Sequence, residues 1–240
     1  MNEQAAPGIS FALIHSPLVG PGTWQPVSDA LEQAGHQVVI PELVDLPTAA
    51  MPFWKQHVES AVGAIQAADL EADLVLVGHS GAGPLLPAIG ERLHQSPGAY
   101  LFVDAGIPQD GASRLDLMKL EMAEWADEFE SHLLEGGCFP EWGKADLENL
   151  ILDRELRRET IQGLRPRARD FFVEPIEALA EWADTPCGYL QFTGSYDVPA
   201  RQAVRDGWLF MRLDVCHFHM LVDPGIVASI MMQMAGKLVS

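Results

Sequence analysis

The stretch that decides the fold is Asp73-Leu-Val-Leu-Val-Gly78-His79-Ser80-Gly81-Ala82-Gly83-Pro84. Residues 74–77 are apolar without polar alternation, which is typical of a strand buried on both faces of a parallel sheet. The run ends at a glycine, presents one serine and continues through small residues toward a segment that can form a helix. A serine on a sharp strand-to-helix turn needs small neighbours, because its backbone is strained and its flanks are crowded. The stretch therefore predicts that Ser80 is presented at the carboxyl end of a buried strand.

Apolar runs alternate with amphipathic segments on both sides of this stretch. Strands are predicted at residues 9–15, 37–40, 74–77, 100–103, 188–193 and 209–215, and helices at 24–34, 53–68, 84–93, 200–207 and from 224 onward. This alternation predicts βαβ units and an α/β fold with a doubly wound, mostly parallel six-stranded sheet. Ligands bind such sheets outside the carboxyl ends of the strands, which is where Ser80 falls.

The alternation stops after the fourth predicted strand. Helical periodicity over residues 115–134 and 145–164 predicts a mainly helical insertion. We predict one domain over residues 1–240, with residues 105–186 forming a helical cap within it. Five aromatic residues of this segment either line an apolar pocket beneath the cap or hold the cap together: Trp125, Phe129, Trp142, Phe171 and Phe172.

Composition excludes several classes of partner. The 240 residues carry a formal net charge of -19, and this acidity argues against nucleic acid or an anionic membrane as a partner. The three cysteines, Cys138, Cys187 and Cys216, have no metal-ligand spacing, and their odd number fits reduced thiols. Residues 1–8 lack the basic and apolar regions of a signal peptide. We expect a cytoplasmic protein that needs no metal and no cofactor.

The serine turn and two further segments resemble parts of the α/β-hydrolase superfamily. The superfamily's nucleophile elbow is written G-x-S-x-G; here Ala82 replaces the second glycine and Gly83 follows one residue later. Residues 217–224, His-Phe-His-Met-Leu-Val-Asp-Pro, are similar to the loop that carries the catalytic histidine into the last helix. Residues 14–20, followed by Trp24, are similar to the loop after the first strand. The resemblance covers nearly the whole chain and is nearest to the small, lidded esterase and hydroxynitrile-lyase-like branch.

This resemblance implies a catalytic triad in the order nucleophile, acid, base. It assigns Ser80 as the nucleophile, Asp197 in the turn after the fifth strand as the acid, and His217 after the last strand as the base. The hydroxyl needs both partners, because a base must take its proton and a carboxylate must fix the tautomer of that base. Two alternatives stay open: Asp104 as the acid and His219 as the base.

The resemblance also implies an oxyanion hole, for which one donor is missing. The backbone N–H of Gly81 is the first donor, and the second should come from the loop after the first strand. That position falls on Pro17, which has no N–H. The Leu18 N–H or the Ser16 hydroxyl is the expected substitute.

The function implied is a serine hydrolase that cleaves an ester, thioester or lactone of a small or medium apolar molecule through an acyl-enzyme on Ser80. Two alternatives belong to other classes. One is a lyase-type or other non-hydrolytic reaction with the triad as general base, which the missing donor at Pro17 favours. The other is a ligand-binding protein on a hydrolase scaffold. The expected partner is a small apolar molecule, and a homodimer is left open.

Overall fold

The computed structural model describes residues 8–45, 52–70, 73–177 and 182–240. Residues 1–7, which precede the first predicted strand, lie outside the described residues.

Six parallel strands form one sheet. They are β1 (Ser10–Ile14), β2 (Gln37–Val39), β3 (Leu74–His79), β4 (Ala99–Val103), β5 (Cys187–Gln191) and β6 (Leu209–Arg212). Their order across the sheet is β2-β1-β3-β4-β5-β6, and every neighbouring pair is parallel. The predicted six-stranded parallel sheet is confirmed. The strand that ends at Ser80 lies near the middle of the sheet, between β1 and β4.

Eleven α-helices are found in the described part of the chain. They are α1 (Gln25–Gln33), α2 (Phe53–Ala67), α3 (Leu86–Arg92), α4 (Arg114–Glu121), α5 (Ala123–Leu134), α6 (Lys144–Leu147), α7 (Arg154–Gln162), α8 (Arg169–Val173), α9 (Asp197–Arg205), α10 (His219–Val222) and α11 (Pro224–Leu238). Among the described residues, no helix is both long enough and apolar enough to cross a lipid bilayer.

The helices cover both faces of the sheet because alternate strand residues point to opposite sides. On one face, Leu13 and Val77 join a buried cluster with residues of α1 and α11. On the other, Ile14 and Leu76 join a cluster with residues of α2, α3 and α9. The sheet is therefore doubly wound, as predicted.

Helices α4 to α8 all lie between β4 and β5, where the sequence predicts an insertion. The predicted helix over residues 145–164 is interrupted, since α7 starts afresh at the N-cap Asp153, whose carboxylate accepts from the N–H groups of Glu155 and Leu156. The predicted helix over residues 115–134 is likewise divided at Met122, whose φ of -144° and ψ of 63° are not helical. Periodicity identified the apolar faces but not these breaks.

A partly buried carboxylate connects this insertion to the helices that cover the sheet. Glu174, after α8, accepts hydrogen bonds from the Phe53 and Trp54 N–H groups in the first turn of α2. Its other partner is the Arg114 guanidinium of α4, at 2.9 Å. A carboxylate is stabilised at a helix N-terminus by the helix dipole and by N–H groups that have no partner within the helix.

The serine turn depends on close backbone packing. Ser80 has a φ of 56°, a left-handed conformation that strains any residue with a side chain. Three residues later, a Cβ on Gly83 would lie 2.2 Å from the Gly106 carbonyl oxygen. The glycine is therefore required at position 83, whereas Ala82 fits in the buried core.

We expect Gly83→Ala to destabilise the protein by roughly 1–3 kcal/mol, because the added methyl group collides with a backbone carbonyl that must then move. Urea unfolding measures the change. The matched control is Gly63→Ala, where a Cβ meets nothing within 4 Å in the middle of α2. That substitution should raise stability by up to about 1 kcal/mol through helix propensity. Equal effects of the two substitutions would contradict the packing explanation.

Candidate active site

Ser80 directly follows the carboxyl end of β3 and lines two adjoining cavities. Its Oγ is 3.1 Å from the hydroxyl oxygen of Tyr196. The left-handed turn lifts the side chain off the sheet edge and into a large cavity that His217 also lines. The structure therefore places the predicted nucleophile and the predicted base around one space.

His217 is oriented by Asp104. The Nδ1 of His217 lies 2.7 Å from Asp104 Oδ2, so the ring donates its Nδ1–H to the carboxylate and its Nε2 remains available to act as a base. Asp104 is fully buried directly after β4 and has a left-handed φ of 42°. It also accepts hydrogen bonds from the Phe192 N–H and from the N–H and hydroxyl of Thr193, each at 2.9 Å.

The predicted pairing of Asp197 with His217 is wrong. Asp197 starts α9, and its carboxylate accepts a hydrogen bond from Gln191 Nε2 at 2.6 Å and lies 3.4 Å from Arg212 Nη1. Its side chain is 43% exposed, whereas Asp104 is fully buried. Both aspartates follow a strand, but the short turn after β5 directs residue 197 outward.

The same turn brings Tyr196 into the site, a residue that sequence reasoning missed. Its ring stacks on the imidazole of His217 with 5.4 Å between centroids and 10° between planes, while its hydroxyl contacts Ser80. Burial, together with the nearby carboxylates of Glu121 and Asp104, raises the pKa of Tyr196 above its ordinary value, so the phenol stays neutral. The sequence signal that could have identified Tyr196 is its position next to Asp197, in a turn that was predicted to supply a catalytic residue.

The other two histidines near the site are neutral and structural. His15 hydrogen-bonds the Ser16 carbonyl through Nδ1 and accepts the Leu43 N–H at Nε2, and burial lowers its pKa to about 4. These bonds fix the loop after β1. The ring of His79 packs 4.4 Å from that of His217, and its Nε2 donates to the His217 carbonyl.

His219, the alternative base, starts the short helix α10 and presents its ring edge-on to Phe192, with 6.2 Å between centroids. The hydrogen bond to Asp104 belongs to His217.

The loop after β1 packs against Gly81, as an oxyanion hole requires. A Cβ on Gly81 would lie 3.4 Å from Ser16 Oγ and 3.7 Å from Pro17 Cδ. Because Cδ is bonded to the proline nitrogen, it occupies the direction in which an N–H would point. The Leu18 N–H donates a hydrogen bond to Ser16 Oγ at 3.4 Å. Of the two expected substitutes, Leu18 is therefore partly engaged, while the Ser16 hydroxyl keeps its own proton to donate.

The large cavity has a volume of about 870 Å³ and is walled by both parts of the molecule. The insertion contributes Met118, Met122, Ala123, Trp125, Phe139 and Trp142. Of the predicted pocket aromatics, Trp125 and Trp142 line this cavity, and Phe171 and Phe172 line the smaller cavity that adjoins it. Phe129, Phe171 and Phe172 also belong to one buried cluster, so both expected roles of these aromatics are found. In the part of the chain described, no group of three or more His, Cys, Asp or Glu side chains could hold a metal ion.

Comparison with known proteins gives distant relatives that share this architecture. No protein-family model matches the chain. A carbendazim-hydrolysing esterase of Nocardioides sp. (strain SG-4G) is 25% identical over 156 residues, which are 60% of this chain and 64% of that esterase.

Two solved structures overlap almost completely with the chain. An extracellular α/β-hydrolase from a Paenibacillus species has a TM-score of 0.75 at 21% identity, covering 94% of this chain and 98% of that one. Tomato methylketone synthase I, solved with 2-tridecanone, has a TM-score of 0.71 at 15% identity, covering 96% and 99%. The parallel six-stranded sheet, the serine elbow after β3 and these overlaps show that the chain is an α/β-hydrolase by fold.

Proposed function

We propose that the protein is a serine esterase that acts through an acyl-enzyme on Ser80. The observation that carries the proposal is that a serine in a left-handed elbow shares a cavity with a histidine whose Nδ1 is held by a buried carboxylate. This arrangement is the one that activates a serine hydroxyl. The similarity to an esterase over 60% of the chain supports the same reading.

In the proposed reaction, His217 Nε2 takes the Ser80 proton as Oγ attacks the substrate carbonyl carbon. The protonated imidazole then gives its proton to the leaving alcohol, which departs as the acyl-enzyme forms. Water, activated by the same nitrogen, releases the acid. Ser80 Oγ is hydrogen-bonded to Tyr196 in the structure, so the proposed reaction requires it to rotate toward His217. Catalytic hydrogen bonds of this kind often form only with substrate bound.

Asp104 is the proposed acid of the triad. Its carboxylate is anchored by the N–H groups of Phe192 and Thr193 and so holds the His217 ring in one orientation. It also stabilises the positive charge that His217 acquires when it takes the proton.

The proposed oxyanion hole combines the Gly81 N–H with the Tyr196 hydroxyl. A second hydrogen-bond donor is needed beside the Gly81 N–H, because Pro17 has no N–H to supply. The Tyr196 hydroxyl oxygen lies 3.1 Å from Ser80 Oγ. It is therefore within reach of an oxygen on the carbon that Oγ attacks. Ser16, whose Oγ fixes the Leu18 N–H, is assigned to shaping the loop and the cavity wall.

The proposed substrate is an ester with a small or medium apolar body. The large cavity has apolar walls and enough room for a molecule of that size. A non-hydrolytic reaction with His217 as general base is the second candidate, because the proline at the usual donor position weakens oxyanion stabilisation.

We expect a small fluorophosphonate to label the native protein at one site, as measured by intact mass. Ser80→Ala and His217→Ala should abolish labelling, and Asp104→Asn should slow it by on the order of 1000- to 10,000-fold because the tautomer of His217 is lost. Asp197→Asn is the matched control and should label at the native rate. Absence of labelling in the native protein would contradict the acyl-enzyme mechanism, and a slow Asp197→Asn variant would contradict the assignment of the acid.

We expect Tyr196→Phe to lower kcat for a 4-nitrophenyl ester by roughly 100- to 1000-fold with little change in KM, because one oxyanion donor is removed while the stacked ring stays. Tyr100→Phe, which removes a hydroxyl far from Ser80, is the control. Adding Pro17→Ala to Tyr196→Phe restores an N–H next to Gly81 and should recover roughly tenfold or more. If instead Ser16→Ala loses kcat and Tyr196→Phe does not, the Ser16 hydroxyl is the second donor.

A further inference from the structure

A second, smaller cavity adjoins the first on the other side of Ser80. Its volume is about 60 Å³, enough for a group of a few atoms. Of the described residues, four line both cavities: Leu18, Ser80, Met118 and Tyr196. Gly81 lines the small cavity, and His217 lines the large one. Ser80 therefore stands at the junction of two compartments of very different size.

The position of His217 decides which part of an ester enters which compartment. The leaving alcohol takes its proton from His217, so it must lie in the large cavity. Since the small cavity is reached across Ser80 from there, it receives the substituent of the acyl carbon. This division rests on the proposed esterase function.

One face of α4 lines the small cavity. Residues 114, 117, 118 and 121 are spaced for a single helix face, with an arginine at one end, a glutamate at the other and two apolar side chains between them. Arg114 is only partly satisfied: its Nη1 donates to the Phe171 carbonyl and to Glu174, whereas its Nε and Nη2 have no hydrogen-bond partner among the described residues. Among the described residues, the carboxyl group of Glu121 has neither a hydrogen bond nor an ion-pair partner.

A partly buried carboxyl group without a protein partner can accept a hydrogen bond from a bound molecule. Glu121 is partly buried in the cavity wall, and its Oε1 would lie 3.4 Å from a Cβ on Gly106. Burial, and the charge of Asp104, raise its pKa to about 7. The group is thus able to accept a hydrogen bond strongly at mildly alkaline pH, while Leu117 and Phe172 give the same wall apolar surface.

We propose that Glu121 determines acyl specificity by accepting a hydrogen bond from a hydroxyl or N–H group on a short acyl chain. The substrate class is an ester of a small, donor-bearing acid, such as a 2-hydroxy acid, with a bulkier apolar alcohol. The short acyl group enters the small cavity with its donor toward Glu121, and the apolar alcohol occupies the large cavity.

The test compares two nearly isosteric substrates, 1-naphthyl glycolate and 1-naphthyl propionate, at pH 8. Each kcat/KM is divided by the rate constant for alkaline hydrolysis of the same ester, which removes the difference in intrinsic reactivity. The native protein should prefer the glycolate, and Glu121→Leu should lower that preference by roughly 10- to 100-fold, because the acceptor of the hydroxyl is lost. Glu128→Leu, the same substitution at an exposed site on α5, should leave the preference unchanged.

Glu121→Met is the second variant and keeps the chain length if the leucine variant does not fold. A native protein without preference for the glycolate, or a preference that survives both substitutions of Glu121, would overturn the proposal while leaving the esterase function intact. Failure to hydrolyse either ester, together with absence of fluorophosphonate labelling, would instead overturn the esterase function on which the proposal rests.

Discussion

The site depends on one buried carboxylate at the carboxyl edge of the sheet. Asp104 directly follows β4, accepts hydrogen bonds from two N–H groups and a hydroxyl of the residues after β5, and accepts another from the imidazole that follows β6. A fully buried carboxylate is tolerated only when its oxygens are satisfied in this way. The requirement therefore fixes three loops relative to one another, and His217 is held in place by the same bonds that stabilise the edge.

Around this junction, neutral groups surround the histidine. His79 packs against His217, with its pKa lowered well below the ordinary value by burial, and Tyr196 stacks on the same imidazole as a neutral phenol. Neither neighbour adds a positive charge that would oppose protonation of His217. The strained turn at Ser80 then brings this serine to the edge of the assembly, where residues of the insertion after β4 line the large cavity.

Sequence reasoning reached the elbow and the histidine because each is encoded locally. A glycine-rich turn after an apolar run fixes Ser80, and a loop leading through a proline into the last helix identifies His217. The acid was not accessible in the same way. Asp104 and Asp197 both follow strands, and the sequence does not say which of two side chains a turn directs inward. The breaks in the helices of the insertion could not be predicted for a similar reason, since periodicity indicates which face of a helix is buried and not where the backbone leaves the helix.

By itself, the sequence determined the parallel sheet, the position of Ser80 and the helical insertion, because these follow from the spacing of apolar residues and from turns of a few residues. Only the tertiary structure decided that Asp104 is the partner of His217, that Tyr196 contacts Ser80, and that Glu121 lines a small cavity beside Ser80. The physical reason is that these contacts join segments far apart in the chain. Their geometry depends on how the strands twist and how the turns are packed, which no local pattern records.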